Sequence, residues 1–263
     1  MIEMVDKNKT YRQILEYLTE NTDESTDFWR YNGIPVLFLQ EITKFYEVLE
    51  NDNFNSEDCT NICFLINILQ TIASKENIRM EIIRIQLPFF LYPFLNSSNI
   101  SHKNELLRIA SLSFINVFIQ SDEQQIISFF RKTEIIPLTL KCMDIGTVVA
   151  KILASNIFLF ILKNKEGLYY AVQTAERFVA ISVMLNLVVG HCISIKSNEI
   201  IRNILECYVI LSTEENARLS FGSSFPKNLV NDKIIEKIKE DEVLRELFLR
   251  FYQNVKPGSC FKF

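Results

Sequence analysis

Four glutamates recur along the chain at similar intervals, and positioned carboxylates are groups that can act as general acids or bases in an enzyme. They lie 47, 43 and 49 residues apart and are Glu76, Glu123, Glu166 and Glu215. Each follows a short polar turn, where a carboxylate stabilises the positive end of the helix that begins there. Because the same position recurs in four successive segments, we interpret these glutamates as helix starts and not as a catalytic cluster.

The remaining side chains that could do chemistry form no recognisable site. The two histidines, His102 and His191, lie in no known order with a nucleophile. No glycine-rich phosphate loop is present. The cysteines lack the paired CxxC spacing of zinc and redox motifs; they are Cys59, Cys63, Cys142, Cys192, Cys207 and Cys260. We therefore predict that the chain is not an enzyme and holds no metal or other cofactor.

Long apolar segments precede the four turns. A recurrence of roughly 40 to 47 residues with helical patterning is typical of armadillo or HEAT-type arrays. Two of the segments are apolar almost all round, which a helix tolerates only when neighbours cover it on several sides. We predict central helices at residues 65–73, 106–119, 149–162 and 200–211.

The polar turns predict that a short helix follows each central helix. Each turn offers an N-cap oxygen with a carboxylate close behind it, which satisfies the free amides at a helix start. In the first two segments a proline follows, at Pro88 and Pro137, because proline suits the first turn of a helix. The turns are Ser74-Lys75-Glu76, Ser121-Asp122-Glu123, Asn164-Lys165-Glu166 and Thr213-Glu214-Glu215.

Composition agrees with an all-helical protein. With 263 residues and 48% hydrophobic content, the chain can bury about three quarters of its unfolded surface. Six glycines and six prolines are too few for an all-β fold, which needs a turn every 8 to 12 residues or so. We therefore predict the all-α class with an armadillo-like right-handed superhelix, an α-solenoid of about five to six repeats.

Charge and hydropathy limit the partners and the compartment. The net charge of −4 gives no strong attraction to a phosphate backbone, so direct nucleic-acid binding is not expected. Residues 1–10 contain no apolar stretch of the kind that a secretory signal needs. The longest apolar runs fall well short of the roughly 20 residues that span a bilayer. We expect an intracellular protein without a membrane partner.

Several segments, in the same order along the chain, resemble the cell-differentiation (Rcd, Caf-forty) family. That family is the armadillo-repeat subunit of the carbon-catabolite-repression NOT (CCR-NOT) deadenylase complex. The similarity extends from about residue 28 to residue 229. The segments are LQEI at 39–42, LPFFLYPFL at 87–95, DEQ at 122–124, TEIIPL at 133–138, GL at 167–168, ERF at 176–178 and CY at 207–208.

The resemblance implies a non-catalytic adaptor found in the cytoplasm and the nucleus. One surface would dock on the large NOT scaffold subunit, and another would bind short peptide motifs of RNA-binding or silencing proteins. Together they would promote mRNA deadenylation, decay and translational repression. The resemblance also allows a homodimer. Basic residues proposed to contact nucleic acid in relatives correspond to Glu199 and Asn216, which removes the charge that such contact needs.

The scaffold-docking residues implied by the resemblance lie near the start of the chain. The family's tryptophan is kept at Trp29 and its glycine at Gly33. Arg30, Asn32 and Val36 stand where the family typically has histidine, phenylalanine and alanine. Trp29 is open to two interpretations, as a cap on an uncovered face of the stack or as a docking anchor.

The peptide-binding groove is likewise implied by the resemblance. Pro137 and Arg177 are retained, whereas Ala175 stands where an aromatic residue lines a tryptophan-accepting pocket and Ser113 replaces a glycine. Arg108 is open to two readings, as a paired or solvent-reaching charge or as part of the groove floor. The predicted groove residues are Leu106, Arg108, Ala110, Ser113, Pro137, Val149, Ile152, Leu153, Ala175 and Arg177.

A different armadillo function is the main competing hypothesis. It is a peptide- or nucleic-acid-binding module outside that complex, for example a transport receptor with an asparagine and tryptophan ladder. The chain has one tryptophan, and its asparagines are not in register with the four glutamates. Lysine and arginine show no recurrence along one face, which a nucleic-acid-binding solenoid requires.

The predicted organisation has three parts. Residues 1–27 form a shortened N-terminal helix followed by an acidic linker. Residues 28–255 form the armadillo-repeat domain, and the amphipathic segment after Phe225 caps its last repeat. Residues 256–263 form a flexible tail.

Overall fold

The computed structural model describes residues 6–50, 54–119 and 124–261, and all regular elements within these ranges are helices. The predicted all-α class is confirmed. Three short 3₁₀ segments accompany the α-helices, at Thr22–Glu24, Leu87–Leu91 and Lys227–Val230. The α-helices of the described residues are α1 Lys7–Glu20, α2 Ser25–Arg30, α3 Ile34–Glu50, α4 Ser56–Ala73, α5 Glu76–Arg84, α6 Tyr92–Asn96, α7 His102–Phe118, α8 Gln124–Arg131, α9 Ile135–Ile145, α10 Val148–Lys163, α11 Lys165–Val172, α12 Ala175–His191, α13 Glu199–Leu211, α14 Glu215–Ser223, α15 Asp232–Glu240 and α16 Glu242–Val255.

The chain divides into two compact units, residues 1–129 and residues 130–263. In the first unit α1 packs on α4 and α4 packs on α7. The helices α2, α3 and α5 contact α4, and α6 contacts α7. Buried Leu65, Ile68 and Leu69 of α4 and Leu112 and Ile115 of α7 belong to the core of this unit.

In the second unit α10 packs on α13 and α13 packs on α16. The helices α9, α11, α12, α14 and α15 contact this series from its sides. Within each unit, every third helix therefore packs on the one before it in the series. This confirms the predicted central helices, which are α4, α7, α10 and α13, and the sequential packing is typical of an α-solenoid. The predicted superhelical hand and number of repeats stay predictions.

Short helices follow the polar turns, as predicted. They are α5, α11 and α14, each of eight or nine residues, and α8, which is described from Gln124 onward. Glu76, Glu166 and Glu215 lie in the first turns of their helices, as expected of helix starts. Glu123 lies outside the described residues.

The predicted N-cap oxygens are confirmed at only one of the three described turns. Asn164 caps α11, because its Oδ1 accepts hydrogen bonds from the amides of Glu166 and Gly167 at 2.9 and 3.4 Å. Lys75 and Glu214 occupy the N-cap positions of α5 and α14 and form no side-chain cap bond. The capping prediction was wrong there because the N-cap position falls one residue after the serine or threonine of the turn.

Both ends of the described chain form defined local contacts. Helix α1 has 14 residues and begins with a cap from Asp6, whose carboxylate accepts the amide of Lys9 at 3.1 Å. The predicted boundary at residue 28 falls inside α2. After α16 the chain turns back, so that the ring of Phe261 lies 4.8 Å from that of Phe248, centroid to centroid.

Helices α15 and α16 at the end of the chain cover the last predicted central helix, α13, as the amphipathic pattern after Phe225 predicts. Tyr208 of α13 stacks on Phe251 of α16, with ring centroids 5.0 Å apart. Ile234 and Ile238 of α15 and Phe248 of α16 are also buried.

Among the described residues, none of the helices is by itself long and apolar enough to cross a membrane. The pair α11 and α12 reaches that length and hydropathy only when taken together, and its axis bends by 100° at the break.

Gly167 occupies a site where a side chain cannot fit, and this gives a test of the packing between α10 and α11. A Cβ atom at this position would lie 2.0 Å from the carbonyl oxygen of Ile161. We expect Gly167→Ala to lower the free energy of unfolding by about 2 to 4 kcal/mol, because backbone atoms must move. Chemical denaturation measures this change.

The matched control is Gly222→Ala in α14, where the nearest atom to a new Cβ would be 3.6 Å away. Alanine is favoured over glycine in a helix by about 1 kcal/mol, so this variant should be unchanged or slightly more stable. Equal stability of the two variants would contradict the close approach of α10 to α11.

Candidate functional site

The predicted docking segment is built on one half-buried carboxylate, that of Glu81. Trp29 is only 2% exposed, and its Nε1 donates a hydrogen bond to Oε2 of Glu81 at 3.1 Å. The guanidinium of Arg30 donates to the other oxygen of Glu81 through Nη2 at 2.6 Å and Nε at 3.2 Å. Helix α5 therefore fixes the end of α2, and the buried Trp29 side chain holds this end from inside the first unit.

Next to this anchor lies a group of exposed residues that we call the docking patch. Val36 is 57% exposed and Tyr31 is 72% exposed. Gly33 has φ +89°, a conformation that favours glycine, and it turns the chain from α2 into α3. The docking patch consists of Arg30, Tyr31, Asn32, Val36 and Leu37, all of which are exposed. It places three of the four predicted docking residues together on the surface.

The four predicted groove residues of the first unit lie on α7, and they differ in accessibility. Leu106 is exposed, Ser113 is half-buried and Ala110 is buried. Arg108 is 0% exposed.

The contacts of Arg108 give it a structural role. Its Nη2 donates to the carbonyl oxygens of Ser97 and Asn99 at 3.0 and 3.2 Å. Its Nη1 pairs with the carboxylate of Glu105 one turn earlier. Of the two readings left open by the sequence, the structure supports the paired charge, since a ligand on the surface cannot reach this side chain.

The predicted groove residues of the second unit are more accessible. On α10, Val149 is 52% exposed, and Ile152 and Leu153 are half-buried. Ile152 and Leu153 follow Val149 by three and four residues, so the three side chains lie on one side of the helix. We call these three residues the α10 face. Pro137 is exposed in the first turn of α9, which packs against α10.

Arg177 and Ala175 lie at the start of α12. The hydroxyl of Thr174 caps this helix by accepting the amide of Arg177 at 3.3 Å. The Arg177 guanidinium donates to the carbonyl oxygen of Tyr170 at 2.6 Å and lies 3.8 Å above the centre of the Tyr170 ring. Arg177 thus joins the end of α11 to the start of α12, while Ala175 is exposed beside it. Whether the predicted residues of the two units form one groove stays a prediction.

A second buried cation, Lys151, lies on α10 behind the α10 face. Its Nζ donates to the carbonyl oxygens of Met143 and Asp144 in the last turn of α9. His191 lies beside it, with 3.5 Å between Lys151 Nζ and His191 Nδ1. Burial and then the Lys151 ammonium lower the pKa of His191, so the ring is favoured as neutral imidazole. Among the described residues no cluster of three potential metal ligands occurs.

Sequence reasoning missed two features of these sites. The bond of Trp29 and Arg30 to Glu81 joins residues about fifty positions apart, and no local pattern indicates it. Arg108 and Lys151 are 43 residues apart, which is one repeat interval. From the sequence, that spacing could have predicted that both charged side chains have the same structural role.

The role assigned to Arg108 is testable by its effect on stability. Arg108→Ala removes the ion pair with buried Glu105 and the hydrogen bonds donated to the carbonyls of Ser97 and Asn99. We expect the free energy of unfolding to fall by about 3 to 5 kcal/mol, as measured by chemical denaturation. Arg245→Ala is the control, because its pair with Glu242 is exposed and 4.0 Å long; it should cost less than about 1 kcal/mol. An Arg108→Ala protein of normal stability that loses peptide binding would restore the groove-floor interpretation.

Comparison with known proteins identifies relatives over most of the chain. The family model described as "Cell differentiation family, Rcd1-like" matches residues 1–255. Cell differentiation protein rcd1 of Schizosaccharomyces pombe is 30% identical over 227 residues, which cover 86% of this chain and 80% of that protein. Protein CAF40 of Saccharomyces cerevisiae is 29% identical over 220 residues, which cover 83% of this chain and 59% of CAF40. The resemblance found in the sequence is confirmed.

Proposed function

The chain belongs to the Rcd1-like cell differentiation family, and on that premise we propose that it is a non-catalytic adaptor subunit of the CCR-NOT deadenylase complex. It docks on the large NOT scaffold subunit and binds peptide motifs of RNA-associated regulators, in the cytoplasm and the nucleus. The bound regulators direct the deadenylase to selected messages and so promote their decay and translational repression. The observation that carries the proposal is the family match over residues 1–255.

The docking patch supports the first half of this proposal. Its exposed residues include Tyr31 and Arg30, and tyrosine and arginine are enriched at interface positions that contribute most to affinity. Val36 and Leu37 add apolar surface beside them. Because Glu81 holds Trp29 and Arg30 in place, little conformational freedom remains to be lost on binding.

The α10 face supports the second half. Exposed or half-buried Val149, Ile152 and Leu153 present apolar surface on a helix whose other sides are packed. A peptide that covers them gains about 25 cal/mol per Å² of buried apolar area, less the cost of ordering. Recognition then depends on apolar side chains of the peptide and not on phosphate, in keeping with the net charge of −4.

Affinity purification of the tagged full-length chain from native extract, followed by mass spectrometry, tests the docking role. The wild-type chain should recover the NOT scaffold and deadenylase subunits. Val36→Glu places a carboxylate in the docking patch and should remove these subunits, because a buried charge without a partner costs several kcal/mol. Val183→Glu, at another exposed valine on α12, is the matched control and should retain them. Recovery of nuclear transport factors in their place would favour the competing function and contradict the proposal.

A second variant tests the peptide role separately. Leu153→Glu should abolish the recovery of peptide-bearing regulators and leave the scaffold and deadenylase subunits bound, since only the α10 face has changed. The same purification measures both, and thermal unfolding checks that the variant folds. If regulators and scaffold are both retained, the α10 face is not the peptide site.

A further inference from the structure

A cavity of about 360 Å³ opens on the second unit, where α10, α11, α13 and α16 come together. Its volume lies in the range of ligand pockets, roughly 300 to 1,000 Å³. The floor is apolar and consists of Leu162, Leu168, Val209, Ile210 and Leu247. We call it the α11–α16 cavity. It is separate from the α10 face, because Lys163 at its edge follows Leu153 by ten residues, or about 15 Å along a helix.

The edge of the cavity carries an excess of positive charge. Lys163 is neutralised by Glu206, with 3.0 Å between Nζ and Oε2. Lys165 and Arg250 also line the cavity and are exposed, and neither forms an ion pair with the residues that the structure describes. The lining therefore has three cations and one carboxylate, a local net charge of +2 in a chain whose net charge is −4.

Among the described residues, the neighbouring carboxylates Glu166, Glu214 and Glu246 form no ion pair with Lys165 or Arg250. Glu166, the next residue after Lys165, is engaged by Arg131, with 3.1 Å between its Oε2 and the Arg131 Nε. Glu246 lies one turn before Arg250 on α16 and is exposed, but it is not part of the cavity lining. Both free cations thus remain available to a ligand in the α11–α16 cavity.

The arrangement of the two cations indicates the shape of the ligand. Lys165 is on α11 and Arg250 is on α16, with the apolar floor among their helices. A compact anion would leave the apolar floor uncovered. An extended ligand with an apolar group between carboxylates satisfies both cations and buries the floor, and an acidic peptide has this order of groups.

We propose that the α11–α16 cavity binds acidic peptides, taking one large apolar side chain onto its floor while Lys165 and Arg250 pair with flanking carboxylates. The inference rests on the proposed adaptor function for its biological use, since it adds a second peptide site to the same subunit. It gives that subunit a preference for acidic partners that the apolar α10 face does not provide.

The test uses the full-length chain and fluorescein-labelled eight-residue peptides, with binding measured by fluorescence polarisation. The acidic probes are Gly-Glu-Asp-X-Leu-Asp-Glu-Gly, where X is Leu, Phe, Met or Trp. One comparison set replaces the four acids by lysine, and the other replaces X and Leu by serine. We expect at least one acidic probe to bind, and both comparison sets to bind at least about tenfold more weakly.

Two variants locate the binding. The double variant Lys165→Glu/Arg250→Glu reverses two exposed charges and should lower the affinity for the acidic probe by at least about tenfold. Lys239→Glu, at an exposed lysine of α15 outside the cavity, is the matched control and should leave affinity unchanged within about twofold at 0.15 M salt. Ile210→Glu should also abolish binding, because it places a carboxylate on the apolar floor.

The outcomes separate this proposal from the proposed function. Three results would each overturn the cavity assignment. They are that no acidic probe binds, that the lysine probes bind as tightly as the acidic ones, or that the double variant binds the acidic probe with full affinity. Loss of probe binding in Leu153→Glu would place the peptide on the α10 face, which rejects a separate site but leaves the adaptor function standing. Probe binding without recovery of NOT subunits in the purification would support the cavity and reject the complex.

Discussion

Buried cations at the carboxyl ends of helices are the interaction on which the stacking of this protein depends. The last turn of a helix leaves carbonyl oxygens without intrahelical donors, and burying them unpaired is costly. Lys151 satisfies the end of α9, and Arg79 satisfies the end of α4 by donating to the carbonyls of Ala73 and Ser74. Arg108 serves the chain that follows α6 in the same way. Each cation comes from the next helix or a nearby one. The hydrogen bonds that satisfy one helix end therefore also fix the helix that carries the cation.

This constraint determines which surfaces are left for binding. A central helix uses its basic residue and most of its apolar residues internally, as α10 does with Lys151, Ala154 and Phe158. Only one side then remains accessible, and in α10 that side carries Val149, Ile152 and Leu153. Apolar surface on a rigid frame is suited to peptide capture, because the frame does not have to order on binding. The proposed peptide binding on α10 would thus follow from how the other sides of this helix are packed.

The parts of the fold that were predictable are those set by local sequence. Helices α4, α7, α10 and α13 follow from apolar periodicity, and α5, α11 and α14 follow from the turns that precede them, since both signals act within a few residues. The role of Arg108 and the burial of Trp29 were left open, because each depends on partners brought together by packing, Ser97 and Glu81. The α11–α16 cavity was missed altogether. It forms where four helices meet, and the lining residues Lys165 and Arg250 are 85 positions apart in the chain.

The distribution of charge bears on how the proposed cavity site would discriminate among peptides. Lysine and arginine outnumber aspartate and glutamate by 18 to 14 over residues 130–263, so the second unit has a formal net charge of +4, whereas residues 1–129 have −8. Within the second unit, Lys165 and Arg250 lie at the edge of an apolar cavity. Charge complementarity at such a site contributes more to specificity than to affinity. An acidic peptide would therefore be accepted in one register only, with its apolar side chain on the cavity floor.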